Sequence, residues 1–373
     1  MKTYLFIYSQ FNAGGAERAL LRILQNLDPA RARATLLITN SGGTLHHLLM
    51  QPYLNIELLP SPWHGYPPAY RLALLLATRL GWRGPLRRKL RQAVRGRHFD
   101  VAISFLEGMP LKCHALLTDI ATRNYSWVHC DLLRHHYTAP LFRRGEEEAA
   151  YRAMDGVVCV SRGAAGSLGR LFPSCADKTT VIYTPIDCVR IAQMARAAQV
   201  STPGFTVCVC GRLTAAKRTD RAIRLARRAK DEGLEIYVMI VGGGELMAGL
   251  QQMARELEVA DRVSFAGHQE NPYPYLLAAD LLLSPSSTEG FGLAVCEAMA
   301  LGIPVVSTRT AGTAEILAGN RYGLLCEQSD DSLYRAVKAM YSDASLRRHY
   351  STAARRRAQD FSAPQAMAKI YAL

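Results

Sequence analysis

The stretch Ser284-Pro285-Ser286-Ser287-Thr288-Glu289-Gly290-Phe291-Gly292-Leu293-Ala294-Val295-Cys296-Glu297-Ala298-Met299-Ala300-Leu301-Gly302-Ile303-Pro304-Val305-Val306 decides the fold. The apolar run Leu281–Ser284 before it predicts a short strand. The polar, glycine-containing segment is a loop, and the alanine-rich run from about Leu293 to Ala300 is a buried helix. A second strand begins at Pro304, so the unit reads strand–loop–helix–strand. That pattern belongs to a parallel sheet in which each crossover is a helix.

The alternation continues on both sides. Upstream in the second half come strands at Phe205–Cys210, Ile236–Val241 and Val263–Ala266. The helical patterns between them span Thr219–Glu232, Leu246–Leu257 and Pro274–Ala278. In the first half, strands are predicted at Tyr4–Tyr8, Ala34–Thr39, Ile56–Leu59, Val101–Phe105, Tyr125–His129 and Gly156–Val160, with a helix from Ala16. The chain of 373 residues is too long for one ordinary core and suits two domains. The turn Thr184-Pro185-Ile186-Asp187 and the linker Ser201-Thr202-Pro203-Gly204 place the boundary near Tyr183–Pro203. The expected division is 1–183 and 184–356, with a last helical segment at about 357–373 packing back on the first domain. The fold class is α/β, as two doubly wound Rossmann-like domains.

Nine cysteines are scattered without the paired spacing of a zinc site, and several lie inside apolar runs. Reduced thiols packed as small hydrophobes are expected, the pair Cys208 and Cys210 included. The start Met1–Tyr8 is too short and too soon polar for a secretory leader, and no run reaches the roughly 20 apolar residues of a spanning helix. The net charge of +14 is concentrated in the first half, where 23 Lys and Arg face 12 Asp and Glu up to Pro185. Between Leu58 and Phe99 there is no acidic residue, while Arg71, Arg79, Arg83, Arg87, Arg88, Lys89, Arg91, Arg95 and Arg97 alternate with leucines and Trp82. Pro85 divides this stretch into two short segments. It suits a surface resting on anionic headgroups, a site for an anionic acceptor, or a solvated basic face.

Four elements sit at the carboxyl ends of predicted strands, where open α/β sheets bind ligands. Gly14-Gly15-Ala16-Glu17-Arg18 opens the first helix, whose free N–H groups favour an anion; a turn that serves packing only is the alternative. The spacing of a dinucleotide fingerprint is missing. Gly211-Arg212-Leu213 with Lys217 puts two cations beside a strand end, suited to a diphosphate, although Lys217 and Arg218 also read as surface charges. Basic residues are disfavoured at a helix start, which argues for an anion nearby. Val241-Gly242-Gly243-Gly244-Glu245 reads equally as close ligand approach or a tight turn. In the deciding stretch, Glu297 follows Glu289 by about 6 Å along the helix axis if the helix begins near Leu293. That spacing suits one ligand whose sugar meets the loop and whose ribose meets the helix, with amides at Phe291–Leu293 for phosphate; the alternative is a helix-start carboxylate at Glu289 and a helical surface acid at Glu297.

Glu289 to Glu297, with seven residues between, resembles the paired-glutamate motif of retaining GT-B glycosyltransferases of family GT4. The likeness extends through Glu297-Ala298-Met299-Ala300, Gly302, Pro304-Val305-Val306 and Gly312–Glu315. Gly14–Arg18 and Gly211–Lys217 resemble the family's glycine loop and diphosphate-binding pair. The resemblance implies two domains facing across a cleft, and a role for each matching residue. Glu289 would meet donor-sugar hydroxyls and Glu297 the ribose; Arg212 and Lys217 would hold the diphosphate beside Gly211. Gly290, Phe291, Gly292 and Leu293 would offer backbone amides, and Gly15 would close against the donor, with Gly243 and His268 also on the donor side. His129 matches the family's histidine near the donor sugar. Glu107, Gly14 and Arg18 are acceptor-side candidates, with packing or capping the alternative for Glu107. Glu289, His129, Arg212 and Lys217 form the catalytic set. No cofactor or metal is expected, because Arg and Lys take the place of a cation.

The expected function is retaining transfer of a sugar from a nucleotide-sugar donor, UDP being the family's commonest base. The acceptor would be a hydroxyl of a cell-envelope glycan, lipopolysaccharide or lipid-linked molecule. The expected setting is cytoplasmic, with a peripheral position at the inner face of the membrane if the basic stretch binds lipid. A sugar-nucleotide epimerase or phosphorylase-like enzyme on the same fold is the nearest alternative. A basic membrane- or nucleic-acid-binding protein without catalysis is the other, and no RNA-module signature supports it.

Overall fold

The computed structural model describes all residues except 13, 41–42, 44–45, 52–53, 55, 63–68, 70–71, 73–75 and 77–80. Two compact units result: Met1–Pro185 with Ala366–Leu373, and Ile186–Gln365. Each is a parallel sheet with helical crossovers.

Among the described residues the first unit holds seven strands: β1 (Lys2–Tyr8), β2 (Ala32–Ile38), β3 (Ile56–Leu59), β4 (Phe99–Ser104), β5 (Ala121–Val128), β6 (Gly156–Cys159) and β7 (Thr179–Val181). Their order is β3-β2-β1-β4-β5-β6-β7, with Tyr4 opposite both Ala34 and Val101. Tyr4 through Tyr8 are almost wholly buried, because a central parallel strand is covered on both faces and so reads as a continuous apolar run. The helix Gly84–Ala93 starts with Pro85 in its first turn and buries Leu86, Leu90 and Ala93. These pack with Leu5, Ile7 and Leu37 of the sheet. The chain's last residues complete this unit: Tyr4 donates to the Ile370 carbonyl at 3.2 Å and Tyr125 to that of Leu373 at 3.2 Å. Tyr371 accepts from the Asp28 amide at 2.7 Å. The segment belonging to the first unit begins at 366, later than the expected 357. The helix Ala344–Ala358 stays in the second unit, and Pro364 lies in the first turn of a new helix, Ala363–Ala372.

The second unit has six strands: β8 (Phe205–Cys210), β9 (Ile236–Val241), β10 (Val263–Gly267), β11 (Leu281–Ser284), β12 (Val305–Thr308) and β13 (Leu324–Cys326). The order β10-β9-β8-β11-β12-β13 reverses direction between β8 and β11, as the first sheet does between β1 and β4. Such a reversal leaves a crevice beyond the strand ends, because the two loops there lead to opposite faces of the sheet. Val207, Val209, Ile240, Leu281 and Leu283 form the core with Ile223 and Ala226 of helix Asp220–Asp231. None of the nine cysteines is joined in a disulfide, and burial pushes the Cys208 thiol well up.

Candidate functional site

In the second unit the loops after β8, β9 and β10 are stitched together through the backbone. Gly211 donates to the Val241 carbonyl at 3.0 Å, Leu213 to Gly243 at 2.9 Å, and Gly242 to Gly267 at 2.8 Å. A Cβ on Gly242 would lie 1.8 Å from the Gly211 oxygen, and one on Gly244 2.4 Å from that of Leu213. Both glycines also have φ near +150°, so packing of the loops explains them. Gly243 differs, since a Cβ there would only touch His268 at 3.4 Å. His268 itself is exposed just beyond β10.

The β8 and β11 loops meet at the reversal point. Lys217, at the end of the short turn Ala215–Lys217, forms an ion pair with Glu289 Oε1. Ser286 donates its hydroxyl to the same oxygen at 2.8 Å. Ser287 donates its amide to the Ala216 carbonyl at 2.8 Å, which ties the loops directly. Of the two basic residues, Arg218 is taken locally, its guanidinium forked on Asp220 at 3.0 and 3.1 Å. Lys217 is the one turned toward the carboxylate. Arg212 is exposed beside Gly211.

Beyond Glu289 the loop turns into helix Leu293–Leu301 through Gly292, which caps it with φ +108°. The first-turn amides of Leu293 and Ala294 have no carbonyl behind them in the helix, as at any helix start. Phe291 is buried edge-on against Phe361, ring centroids 5.5 Å apart. Gly312 donates to the Glu289 carbonyl at 3.0 Å, and a Cβ there would strike the Phe291 oxygen at 2.0 Å. One turn along the helix, buried Glu297 accepts from the Tyr273 hydroxyl at 2.9 Å.

In the first unit, Glu107 follows β4 and is 1% exposed, with Oε2 accepting the His129 amide at 2.9 Å. This carboxylate supports the turn that carries His129, the packing alternative the sequence left open. The His129 ring packs on Phe105 at 4.8 Å and lies nearly parallel to Trp127 at 6.5 Å. Burial lowers its pKa to about 4, against the opposing pull of Glu107, so the imidazole is neutral. Among the described residues its Nε2 is buried without a partner. Burial first, then the Glu107 charge, raises the pKa of Tyr137 and Tyr151 far above the usual phenol range. Gly14 caps helix Gly15–Gln25, Arg18 is half-buried in its first turn, and a Cβ on Gly15 would meet nothing within 4 Å. Local packing therefore does not account for glycine at 15.

The structure thus gathers Gly211, Lys217, Glu289 and the Phe291–Leu293 turn in one unit, and Glu107 with His129 in the other. Tyr273, Ser286, Thr308, Gln328 and Arg221, which support the carboxylate loop and Glu297, had no linear signal. Among the described residues, no helix is long and apolar enough to cross a membrane, and no three His, Cys, Asp or Glu side chains gather as a metal site.

Two family descriptions match the chain nearly end to end. Residues 13–190 match Glycosyltransferase Family 4, and residues 193–357 match Glycosyl transferases group 1. The chain belongs to the group 1 glycosyltransferases. A GDP-mannose-dependent alpha-(1-6)-phosphatidylinositol dimannoside mannosyltransferase of Mycobacterium tuberculosis is 31% identical to this glycosyltransferase over 223 residues, 58% of this chain. An N-acetylgalactosaminyltransferase of Campylobacter jejuni, named for a diacetylbacillosaminyl-diphospho-undecaprenol acceptor, is 29% identical over 213 residues, 57% of this chain. The matched region spans 57% of the length of each relative. Among solved structures, Anabaena HepE in complex with UDP and glucose superimposes with a TM-score of 0.80 at 21% identity, covering 99% of this chain and 98% of that one. The lipopolysaccharide outer core galactosyltransferase WaaB gives 0.71 at 17%, covering 99% and 98%. These likenesses establish the GT-B fold of two Rossmann-like units.

Proposed function

We propose that this glycosyltransferase moves a sugar, with retention at the anomeric carbon, from a nucleoside diphosphate to a hydroxyl of a cell-envelope glycan or lipid-linked acceptor. The observation that carries the reading is the Lys217–Glu289–Ser286 cluster at the strand reversal of the second unit. A cation paired with this carboxylate can swing to a diphosphate and release the carboxylate to sugar hydroxyls.

In the proposed mechanism Lys217 and Arg212 bind the diphosphate and stabilise the charge that grows on it as it leaves. The first-turn amides after Gly292 add hydrogen bonds to the same anion. Glu297, oriented by Tyr273, holds ribose hydroxyls, and Glu289 holds the sugar. The bond from the anomeric carbon to the phosphate oxygen breaks with its electron pair going to that oxygen. The acceptor oxygen bonds the anomeric carbon on the same face, and its proton passes to the departing phosphate. His129, neutral and with an unpartnered Nε2, accepts a hydrogen bond from a donor-sugar hydroxyl. The two cations take the place of a divalent metal, so EDTA is expected to leave turnover intact. UDP is the first base to test, because HepE was crystallised with UDP and glucose; the mycobacterial relative's name makes GDP the second.

An anionic partner suits the first unit. Arg87, Arg88, Arg91 and Arg95 line an open cavity of about 580 Å³, with Asp119 the acid bridging Arg87 and Arg91 at 2.9 Å each. Trp82 is largely exposed near the start of the same helix. Arg71, Arg79, Leu74, Leu75 and Leu80 of the basic stretch lie outside the described residues. We read this surface as a seat for anionic lipid headgroups. The function is tested by calorimetric binding of UDP- and GDP-sugars, followed by mass and NMR analysis of the product formed with lipid-linked acceptors. Failure of every nucleotide sugar to bind, or a product of inverted anomeric configuration, overturns the proposal.

A further inference from the structure

Glu289 sits on a loop whose carbonyls are held from behind by side chains that do not enter the proposed donor site. Arg221, buried in helix Asp220–Asp231, donates Nη1 to the Pro285 carbonyl at 3.2 Å and to Gln328 Oε1 at 2.9 Å. Its Nη2 donates to the Gln328 carbonyl at 3.1 Å, and Asp330 lies 3.3 Å from Nε. Gln328 then donates Nε2 to the Ser286 carbonyl and to that of Arg309, both at 3.1 Å. Thr308, at the end of β12, donates to the same Ser286 carbonyl at 2.5 Å. Ser286 in turn holds Glu289 through its hydroxyl. Each donor of the Gln328 amide therefore has an acceptor, and its oxygen has a guanidinium partner. A buried amide satisfied at every donor and at its acceptor is held in one orientation.

We propose that Arg221, Gln328 and Thr308 are positioning residues that fix Ser286, and through it aim the Glu289 carboxylate at the donor sugar. The inference rests on the reading of Glu289 as the sugar-facing acid. Ser286 and Glu289 are three residues apart and joined by the 2.8 Å hydrogen bond between their side chains, so freeing the Ser286 carbonyl shifts the hydroxyl that aims the carboxylate. The Arg212 half of the diphosphate-binding pair is anchored separately, by Gly211 on Val241 and Leu213 on Gly243, whereas the Lys217 turn is tied to this loop by Ser287 on Ala216. Loss of the clamp therefore weakens sugar recognition more than diphosphate recognition.

The test compares affinity for nucleotide sugar with affinity for the matching nucleoside diphosphate, using UDP, UDP-glucose, GDP and GDP-mannose by calorimetry. Gln328→Glu keeps the shape and the Arg221 contact and removes both amide donors; Thr308→Val removes the hydroxyl; Thr308→Ser restores it. In Q328E and T308V the sugar nucleotide is expected to lose tenfold or more in affinity and the diphosphate less than threefold, with T308S close to wild type. Melting curves establish that each variant is folded, and R221K provides a third probe of the same clamp. Equal losses for both ligands, or no loss in any folded variant, overturn the positioning role. Wild-type protein that binds no member of the panel overturns the functional reading itself.

Discussion

Gly242→Ala is the sharpest test of how the donor loops are built. The new Cβ would lie 1.8 Å from the Gly211 oxygen and 2.9 Å from its carbonyl carbon. Real Cβ atoms do not approach backbone oxygen closer than 3.0 Å, so Gly211 must retreat by more than 1 Å. That retreat strains the Gly211–Val241 and Leu213–Gly243 hydrogen bonds, each about 3 Å long. Overpacking costs about 1–3 kcal/mol and a glycine-only φ another ~1–3 kcal/mol. The sum, about 2–6 kcal/mol, lowers the melting temperature by at least ~4 °C at roughly 2–4 °C per kcal/mol for a unit of this size. Because the displaced strand end carries Arg212, nucleoside diphosphate affinity falls with it. Two controls share the assay. Gly249→Ala, with nothing within 4 Å and a helical backbone, is expected to gain about 0.4–1 kcal/mol. Gly243→Ala is expected to melt like wild type and to lose nucleotide affinity only if the donor passes over it. Wild-type melting and wild-type nucleotide affinity in G242A together would refute the packing argument.

Glu289→Ala and Lys217→Ala are each expected to abolish transfer in a folded protein. K217A should also weaken diphosphate binding by about 10- to 100-fold, the scale of one charge-assisted hydrogen bond; full activity in either variant sinks the site. His114 is buried between Ser104 and Asn124, and burial lowers its pKa to about 4 from 6.5. The unfolded chain therefore binds the proton first, and stability is lost as pH falls from 6.5 toward 4. The loss from this group reaches about 2.5 kcal/mol at pH 4.5. Urea midpoints at pH 7 and 4.5 should drop less for H114Q than for wild type, and an equal drop in both refutes the assignment. Charge reversal to glutamate at Arg87, Arg88 and Lys89 should release the protein from anionic vesicles in sedimentation. Unchanged pelleting removes the membrane reading.

The strands that bear ligand loops were legible because each is an apolar run of four or more residues stopped by glycine or a polar turn. β7 and β13, three residues each, escaped because neither offers a period to detect. Glu289, Glu297 and Lys217 could be named because they lie in linear motifs with recognisable spacing. Arg221 and Gln328 could not: they are 107 residues apart, and an arginine in an amphipathic helix reads as solvated surface. Tyr273 likewise reads as one more apolar side chain until its hydroxyl is found on Glu297. The triple glycine shows the opposite limit, since only coordinates distinguish the two residues that yield to a neighbouring carbonyl from the one that does not.

The last eight residues also bear on how the molecule is made. The second unit is one uninterrupted segment, whereas the first is assembled from pieces that include Ala366–Leu373. On the ribosome the first sheet must wait, with the hydroxyls of Tyr4 and Tyr125 lacking the carbonyls of Ile370 and Leu373, until the whole second unit has emerged. The order of synthesis and the order of completion are thus reversed. Deleting residues 370–373 would be felt in β1 and β5, which are made long before that segment.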